Sequence, residues 1–455
     1  MKNYKLQPNQ IQLIDVSNKA TIFFHTEALQ IYPLSKKNDI AKFLEVFKEN
    51  GYKKTKQIYQ KEDFNQLYKF ICDKILSAPK SSFSKVEDMD KEYYRAIVLP
   101  IAAMCNLNCP YCFAQTDGGF HFKNFTEKDI EKVADFLINQ NDKSQAFNIC
   151  FFGGEPLLKF DIIKFTIKHF KEKYPDRKVT YSITTNGTIL NEEIIQIFKE
   201  NNFAILLSID GYDNEFNLRK FKDGSKSVHR VLENIEWFKK ESIGIEIRAT
   251  LVNENPYIYE TFKFFEELNI PFNLVFAYSS ANKIHHYANY NKENLERIRI
   301  QLDNLLDFYV ERVNNNQPIY NNTFNVFSRT LRFRNIRGIS CSAGLNYFTI
   351  TANGDIFSCA HFINDKKYAI GNITDGIIDK SKYIPVDISN IDECKECWIK
   401  YLCTGGCFAQ KISYEKSNNT AQDNNKCELD KIVWTFYIKL YYNIMRINPK
   451  FFNKK

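Results

Sequence analysis

No apolar run in the sequence approaches the roughly 20 residues that a membrane-spanning helix needs. The first residues, Met1 to Pro8, lack the apolar segment of a secretory signal peptide. The chain also has no dense block of Lys and Arg with interleaved aromatic residues, the composition typical of nucleic-acid binding. These absences predict a cytoplasmic protein that acts without a membrane or a nucleic acid.

The composition indicates a globular protein with two or three domains. Its 455 residues exceed the usual size of one domain, and 44% hydrophobic with 25% charged residues suffice for a full core. Sixty-two Lys and Arg against 54 Asp and Glu leave a net charge of +8, which favours acidic partners only mildly. Twelve cysteines without an export signal indicate a reducing compartment, where cysteines serve as metal ligands more often than in disulfides.

Three of the cysteines lie together in segment 104–113, Met-Cys-Asn-Leu-Asn-Cys-Pro-Tyr-Cys-Phe. Cys105, Cys109 and Cys112 follow an apolar run, residues 96–103, that predicts a buried strand. Three thiolates on one loop can bind three irons of a [4Fe–4S] cluster, which leaves the fourth iron open to a small molecule. The alternative is a zinc knuckle, but three cysteines without a nearby fourth ligand fit a zinc site poorly.

The C-x3-C-x2-C spacing, Asn106 between the first two cysteines and Phe113 after the third resemble radical S-adenosylmethionine (SAM) enzymes. This resemblance implies that the open iron binds the amino-acid part of SAM and that reduction cleaves SAM to a 5′-deoxyadenosyl radical. It also implies that Phe113 borders the SAM site.

Strand and helix patterns alternate between about residues 93 and 280, which is typical of βα units around a parallel sheet. We predict strands at 95–102, 147–152, 179–185, 204–210, 244–252 and 272–277. We predict helices at 126–139, 160–173, 191–201, 227–240 and 257–268. Six such repeats resemble the partial (β/α)6 TIM-like barrel of radical SAM enzymes, an α/β fold whose chemistry lies at the C-terminal strand ends.

A Gly-Gly-Glu-Pro run follows the second predicted strand. Gly153 and Gly154 permit a close backbone approach, and Glu155 can accept hydrogen bonds from an ammonium group. In the radical SAM family the matching run receives the SAM amino group. In isolation the same four residues would be an ordinary turn.

Weaker candidates for SAM binding follow the third and fourth strands. Asn186, Ser208 and Asp210 resemble family positions that border the SAM ribose and carboxylate. Arg219 could pair with that carboxylate, since a guanidinium forms a two-pronged contact with it. Asn, Ser and Asp before Gly also form turns for local reasons, so both interpretations stay open.

Seven cysteines between residues 341 and 427 resemble the SPASM extension, which adds two auxiliary iron–sulfur clusters to radical SAM maturases. By this resemblance the outer cluster is bound by Cys394, Cys397, Cys403 and Cys427, and the inner cluster by Cys341, Cys359 and Cys407. Two cubane clusters need eight ligands, so we expect the inner cluster to have an open iron or a ligand of another type. A hairpin of residues 348–350 and 355–357 around Asn353-Gly354 would carry the first inner ligands. A pair of structural zinc sites is the alternative.

The remaining metal-binding residue types are given structural interpretations. Cys72 and Cys150 are predicted to be core thiols. The adjacent His285 and His286 are predicted to lie in a solvated loop.

The N-terminal region contains two or three short strands followed by helices. This order suits a small α+β module of winged-helix type, which in related maturases binds the leader of a precursor peptide along a strand edge. A structural cap on the barrel is the alternative. The predicted domains are an N-terminal module at 1–88, a barrel at 89–280, a helical bridge at 281–335, a SPASM domain at 336–430 and a C-terminal helix at 431–455.

The resemblance implies a radical SAM/SPASM enzyme with SAM and three [4Fe–4S] clusters as cofactors. The expected substrate is a ribosomally made precursor peptide, which receives a thioether, C–C or C–O crosslink. The expected reductant is a flavodoxin or a ferredoxin.

Two other functions are possible for such a chain, and each requires different residues in the sequence. A sulfatase-maturating enzyme, which makes formylglycine, has an Asp base after the second inner cysteine, whereas here Ala360 and His361 follow Cys359. His361 could take the role of that base, although the sequence itself assigns no catalytic residue. A peptide-binding iron–sulfur scaffold without catalysis would not need the intact motifs around Cys105 and Glu155.

Overall fold

The computed structural model describes residues 6–76, 82–84, 94–115, 119–278, 286–377, 383–417 and 420–453. Its strands are β1 (Ile11–Asp15), β2 (Ala20–His25), β3 (Gln30–Ser35), β4 (Ser82–Ser84), β5 (Ala96–Ala102), β6 (Phe147–Gly153), β7 (Val179–Thr185), β8 (Ala204–Ser208), β9 (Ile245–Leu251), β10 (Phe272–Phe276), β11 (Asn335–Arg337), β12 (Tyr347–Ile350), β13 (Asp355–Phe357), β14 (Gly371–Asn372) and β15 (Gly376–Ile377). Its helices are α1 (Asp39–Ile58), α2 (Lys61–Leu76), α3 (Glu127–Gln140), α4 (Phe160–Lys173), α5 (Glu192–Glu200), α6 (Val228–Lys240), α7 (Ile258–Leu268), α8 (Lys292–Asn314), α9 (Asn322–Phe333), α10 (Asp392–Lys395), α11 (Lys400–Cys403), α12 (Phe408–Ser417) and α13 (Thr420–Ile447). Within these ranges, the structure contains no helix with the length and apolar content to cross a membrane.

Six parallel strands form the centre of the main sheet, in the spatial order β10-β9-β8-β7-β6-β5. Each strand and each connecting helix predicted for this region is present, with ends within two residues of the predicted ones. The α/β barrel fold is thus confirmed. The largest difference is at β8, which ends at Ser208, so Asp210 lies in the following loop.

The two faces of this sheet have different chemistry. On β6, Ile149 and Phe151 are buried against the helices, whereas Asn148 and Cys150 point to the opposite face, which we call the inner face. Ser182 Oγ on β7 donates a hydrogen bond to Asn148 Oδ1 there (2.7 Å). The prediction of Cys150 as a core thiol is therefore wrong, because its strand position places the thiol on the polar inner face.

The predicted hairpin of the cysteine-rich region is present and extends the same sheet. β12 pairs parallel to β5, with Tyr347 opposite Ala96, and β13, β14 and β15 continue antiparallel beyond it. Gly354 occupies the turn with φ +81°, a conformation that favours glycine. The hairpin and the barrel are consequently one continuous sheet.

The helices predicted for residues 281–335 and 431–455 correspond to α8, α9 and α13, although α13 begins earlier, at Thr420. Phe436 of α13 packs its ring against Phe262 and Tyr309 at 6.3 and 6.4 Å. The aromatic tail thus packs on the barrel. His285 lies outside the described residues, and His286 begins a short 3-10 helix with its ring against Tyr287.

The N-terminal segment forms an antiparallel sheet of order β1-β2-β3, covered by α1 and α2. Phe23, Phe43, Phe47 and Phe64 form a core of its own, which also contains Cys72 as predicted. The pair Asn50-Gly51, which is typical of a helix end, forms a kink here, because Gly51 has φ +68° and α1 continues to Ile58. The α+β content is therefore present, while the domain boundaries stay predictions.

The segment between this module and the barrel has a role in the fold. Ser82–Ser84 lie in a mostly polar stretch of the sequence, residues 79–85, yet they form β4, which pairs parallel to β11. Residues 77–81 and 85–93 lie outside the described residues.

Candidate active site

The Gly-Gly-Glu run is fastened to the strand that leads into the first cysteine loop. Gly154 N donates to the Ala102 carbonyl (2.7 Å), and Glu155 N donates to the Met104 carbonyl (2.8 Å). A Cβ on Gly154 would lie 2.1 Å from the Met104 carbonyl oxygen, so no side chain fits there. A Cβ on Gly153, which has φ +131°, would lie 2.5 Å from the Ala102 carbonyl oxygen. These contacts set the position of the backbone just before Cys105.

Glu155 is wholly buried beneath this loop. Its Oε1 accepts hydrogen bonds from Leu157 N (3.0 Å) and Thr185 Oγ1 (2.8 Å), and its Oε2 accepts one from Asn186 N (2.7 Å). Burial raises the pKa of Glu155 to about 7, and the hydrogen bonds oppose the rise. Because a carboxylate offers about four acceptor positions, one remains on Oε2 for the predicted ammonium group.

Asn186 connects the end of β7 to the first cysteine loop. Its Nδ2 donates to Asn106 Oδ1 (2.8 Å) and lies 3.8 Å from Cys105 Sγ. Its Oδ1 accepts from Thr188 Oγ1 (2.7 Å), which in turn accepts from Asn106 Nδ2 (2.8 Å). Asn186 therefore supports the loop directly, and its predicted contact with SAM would be additional.

Asp210 and Arg219 form a buried ion pair, with 2.9 Å between Arg219 Nε and Asp210 Oδ1. Asp210 also accepts from Thr250 N (2.9 Å) and from the Tyr111 hydroxyl, and the Arg219 guanidinium stacks 5.6 Å from the Tyr111 ring centroid. The bond through Nε leaves the two terminal nitrogens of Arg219 without a hydrogen bond to the described residues. They can bind the SAM carboxylate, whereas the Asp210 carboxylate is occupied. Ser208 is half-buried at the end of β8.

Cys105, Cys109 and Cys112 share one electrostatic environment. Burial raises the pKa of Cys109 to about 12 against the positive charge of Arg219, and the charges of Cys112 and Cys105 add to the rise. Burial also raises the pKa of Cys105. In their deprotonated form the three side chains would repel one another, and bound iron would offset that repulsion, so the group suits a metal cluster.

The seven later cysteines separate into two groups. Burial raises the pKa of Cys359 to about 12, and the negative charges of Cys407 and Cys341 add to this rise. Burial raises the pKa of Cys403 well above its usual range, and the negative charges of Cys427 and Cys394 contribute to the rise. The negative charges of Cys397 and Cys427 both raise the pKa of Lys431, so these two cysteines share one neighbour. These are the inner and outer groups that the sequence predicts, although their binding of iron stays a prediction.

The arrangement of these side chains bears on the zinc alternative. Among the residues that the structure describes, no three His, Cys, Asp or Glu side chains converge on a point where one metal ion could bind. Thiolates of a cubane each bind a different iron, so they need not converge in this way. The spacing of these side chains is therefore compatible with cubane clusters.

Comparison with known families decides the identity. The family model of the radical SAM superfamily matches residues 99–265, and that of an iron-sulfur cluster-binding domain, SPASM, matches residues 341–398. This chain is a radical SAM enzyme with a SPASM domain. Its cofactors are accordingly SAM and [4Fe–4S] clusters. The SPASM match ends before Cys403, so the last three predicted ligands rest on their spacing and on their position in the structure.

Relatives extend the similarity over most of the chain. A cysteine-type anaerobic sulfatase-maturating enzyme of Clostridium perfringens is 27% identical over 350 residues, 70% of this chain and 90% of that protein. The radical SAM cyclopropyl synthase TigE of Paramaledivibacter caminithermalis is 25% identical over 382 residues, 78% of this chain and 76% of that protein. The solved structure of anSMEcpe with bound AdoMet and Cp18Cys peptide shares the fold, with a TM-score of 0.61 at 23% identity over 77% of this chain and 99% of that one.

The radical SAM and SPASM parts meet at His361. The His361 ring lies 3.9 Å from the ring centroid of Phe113, which follows the first cysteine loop. Its Nε2 lies 3.0 Å from the Tyr278 hydroxyl, and its Nδ1 is buried without a hydrogen-bond partner among the described residues. Burial lowers the pKa of His361 to about 4. His361 thus occupies the space between the first cysteine loop and the inner cysteine group.

Sequence reasoning missed three residues near the inner cysteine group: Tyr278, Tyr347 and Arg248. Tyr278 lies two residues after the C-terminal end of β10, and the negative charges of Cys407, Cys359 and Cys341 add to the rise in its pKa that burial causes. Tyr347 begins the strand β12, and Cys359 and Cys341 act on it. Position after a barrel strand could have singled out Tyr278, whereas nothing local distinguishes the other two.

Proposed function

We propose that this radical SAM/SPASM enzyme removes a hydrogen atom from a ribosomally made precursor peptide and forms a thioether, C–C or C–O crosslink. The contact between Phe113 and His361 carries this proposal, because the two rings, 3.9 Å apart, belong to segments that follow the first cysteine loop and the inner-group residue Cys359. A substrate residue bound beside these rings would be within reach of both sites. Hydrogen removal and oxidation of the resulting radical could then occur without release of the peptide.

The chain's own residues would bind and orient the reactants. Cys105, Cys109 and Cys112 would hold the first cluster, and with SAM bound it supplies a 5′-deoxyadenosyl radical when a flavodoxin or ferredoxin delivers an electron. Glu155 would receive the SAM ammonium group, and the terminal nitrogens of Arg219 would receive the SAM carboxylate.

The inner group, Cys341, Cys359 and Cys407, would hold a cluster beside the substrate. The outer group, Cys394, Cys397, Cys403 and Cys427, would hold a second cluster. With seven thiolates for two cubanes, one iron of the inner cluster would lack a cysteine ligand. These clusters supply an acceptor for the electron released when the product radical is oxidised.

The N-terminal module supports a peptide substrate. β3 lies at an edge of its sheet among the described residues, and a peptide can add to such an edge as a further strand. A groove of about 600 Å³ next to the module's helices is lined by Ile40, Tyr59, Leu67 and Phe70, and Phe70 is 46% exposed. We propose that the leader of the precursor peptide binds along β3 and this groove.

A second candidate is formylglycine formation in a sulfatase. Similarity to the sulfatase-maturating enzyme of Clostridium perfringens favours it. Against it, His361 replaces the expected Asp base, and its Nε2 is already engaged by Tyr278. The relatives that bear enzyme names also favour catalysis over a binding scaffold.

The test uses the anaerobically reconstituted full chain with dithionite and SAM. A radical SAM enzyme forms 5′-deoxyadenosine, and the Cys105→Ala/Cys109→Ala/Cys112→Ala variant does not. Peptides encoded by neighbouring short reading frames are then compared with a Cys-containing sulfatase peptide by mass spectrometry. Crosslinking removes two hydrogen atoms from a precursor peptide, and this mass change is the expected result. Formylglycine in the sulfatase peptide alone would replace our proposal with the second candidate.

A further inference from the structure

Arg248 lies on the inner face of the barrel. Its neighbours along β9, Ile247 and Ala249, are buried in the hydrophobic core, whereas the Arg248 side chain is exposed on the opposite side of the sheet. In the sheet register it lies between Ser208 of β8 and Asn273 of β10, which are both neutral. The two residues directly opposite Arg248 on the neighbouring strands therefore carry no charge that could neutralise it.

No carboxylate of the described chain neutralises this charge. Arg248 makes no ion pair and donates no side-chain hydrogen bond to any described residue. Glu246, two residues away on the same face, instead accepts hydrogen bonds from Asn273 and from Asn322 Nδ2 (2.8 Å). Asp210 is held by Arg219. Arg248 is thus an exposed guanidinium on the inner face that stays available to a ligand of opposite charge.

The surroundings place Arg248 on the substrate side of the site. Burial raises the pKa of Tyr278 and Tyr347, and the positive charge of Arg248 opposes both shifts. Arg248 is thus in electrostatic range of two hydroxyls, and that of Tyr278 lies 3.0 Å from His361 Nε2, beside the first cysteine loop. Arg219, in contrast, acts on Cys109 in the first loop. The two guanidinium groups therefore serve different ends of the space.

The other polar groups on this side can donate hydrogen bonds. Tyr278 and Tyr347 carry hydroxyls, and a Tyr278 hydroxyl that donates to His361 Nε2 leaves the ring proton on Nδ1. That Nδ1 is buried and has no partner in the described part of the chain. A guanidinium surrounded by donors matches a ligand that only accepts hydrogen bonds.

We infer that Arg248 binds a carboxylate of the substrate, between the first cysteine loop and the inner cysteine group. This inference rests on the proposed function, since it names the chemical class that the same site selects. The carboxylate belongs either to an Asp or Glu side chain or to the C-terminus of the peptide. A planar guanidinium binds either one through two parallel hydrogen bonds.

The test measures binding by isothermal titration calorimetry to the oxidised, cluster-loaded full chain in the presence of SAM. The probes are three synthetic tripeptides: Ac-Gly-Asp-Gly-NH2, its Asn analogue Ac-Gly-Asn-Gly-NH2, and Ac-Gly-Gly-Gly with a free C-terminal carboxylate. We expect at least one carboxylate tripeptide to bind about tenfold or more tightly than the Asn analogue, because charged hydrogen bonds contribute about 1.5–3 kcal/mol. Preference for the Asp tripeptide assigns a side chain, and preference for the free acid assigns a C-terminus.

Arg248→Met should abolish this preference, and Arg248→Lys should keep part of it, since Lys retains the charge without the planar fork. Arg230→Met, at an exposed position of α6, should keep all of it. Iron content and SAM affinity show whether each variant has folded. Equal binding of the three tripeptides, or an unchanged preference in Arg248→Met, would overturn the inference. Weaker SAM binding in Arg248→Met with the preference retained would assign Arg248 to SAM instead.

Because this measurement requires no SAM cleavage, it separates the two proposals. A protein that prefers carboxylate tripeptides through Arg248 but forms no crosslink would retain the binding site and lose the proposed function.

Discussion

Glu155 is a residue whose role depends on its charge state. Burial raises its pKa from the ordinary 4.5 to about 7, against hydrogen bonds from Asn186, Leu157 and Thr185. Below that pH the folded protein holds the carboxyl group protonated, and above it the carboxylate is ionised. Only the ionised form attracts the ammonium group of SAM.

The SAM affinity of the cluster-loaded protein should therefore increase as pH rises from about 6 to 8. With a pKa about 7 in the folded state, the ionised fraction of Glu155 grows about tenfold over this range, and the Kd should fall by a similar factor. Equilibrium dialysis with labelled SAM measures this. Glu155→Gln should bind SAM more weakly and without this pH dependence, whereas Glu193→Gln, on the exposed side of α5, should behave as the parent. An unchanged pH profile in Glu155→Gln would contradict the assignment.

Gly154 allows a second test at the scale of one residue. In Gly154→Ala the new Cβ would meet the Met104 carbonyl at 2.1 Å, and this backbone must shift because it cannot rotate away. The first cysteine loop follows immediately, so we expect iron to fall from about 12 to about 8 per chain, with loss of SAM cleavage. Gly244→Ala is the matched control, since nothing lies within 4 Å of its Cβ. Full iron content and SAM cleavage in Gly154→Ala would show that the loop tolerates the shift.

At the scale of elements, the N-terminal module packs on the segment that carries the outer cysteine group. Thr26 Oγ1 donates to the Trp398 carbonyl (3.0 Å), and Phe24 of β2 packs edge-on against the Trp398 ring at 6.1 Å. Lys400 Nζ lies 2.7 Å from Glu27 Oε1. Loosening of the N-terminal module should therefore also loosen the segment between Cys397 and Cys403, and the reverse.

Trp398→Ala should loosen the module without removing it. Loss of the ring contact with Phe24 should lower the free energy of local opening of β2 by about 2 kcal/mol, so its amide hydrogen exchange should accelerate about 30-fold. Hydrogen exchange with mass spectrometry measures this for residues 20–25. Lys395→Ala, an exposed position in the same segment, should leave β2 unchanged. Equal exchange of β2 in both variants would show that the contact contributes no stability.

The continuous sheet explains how the two halves of the site are held. β12 pairs with β5, the strand that leads into the first cysteine loop, so the hairpin before Cys359 shares backbone hydrogen bonds with that strand. A sheet is stiff in the direction of its hydrogen bonds, whereas packed domains can slide. The distance between the two cysteine groups is consequently set by the sheet.

At the scale of the whole molecule, three cysteine groups predict three clusters. The reconstituted protein should contain about 12 irons per chain, and the Cys105→Ala/Cys109→Ala/Cys112→Ala variant about 8, because each cubane holds four. Iron and sulfide analysis measures both. Cys394→Ala/Cys397→Ala/Cys403→Ala should also reduce iron to about 8 but retain the SAM-dependent change in the spectrum of the first cluster. Zinc in place of iron in the later groups, or about 4 irons in total, would contradict the auxiliary clusters.

Part of this architecture could be predicted because its signals are local. The βα repeats follow from hydrophobic periodicity over ten to fifteen residues, and their observed ends lie within two residues of the predicted ones. Cys150 was misassigned because alternation along a strand separates two faces without telling which face is the core. The strand of residues 82–84 escaped prediction because its partner, β11, lies about 250 residues away and a single aromatic residue between two serines carries little strand signal of its own.

The sequence by itself determined the family, the cofactors and the division of the cysteines into three groups, since cysteine spacing within a loop is a local property that directly reflects its ligand. Only the tertiary structure decided what surrounds those groups. Tyr278 and His361 are separated by 83 residues and Thr26 and Trp398 by 372, yet each pair is in contact. That Arg248 has no carboxylate partner in the described part of the chain is known only once Glu246 and Asp210 are seen to be bound elsewhere. Charge compensation depends on all groups within a few ångströms, and chain folding alone brings those groups together.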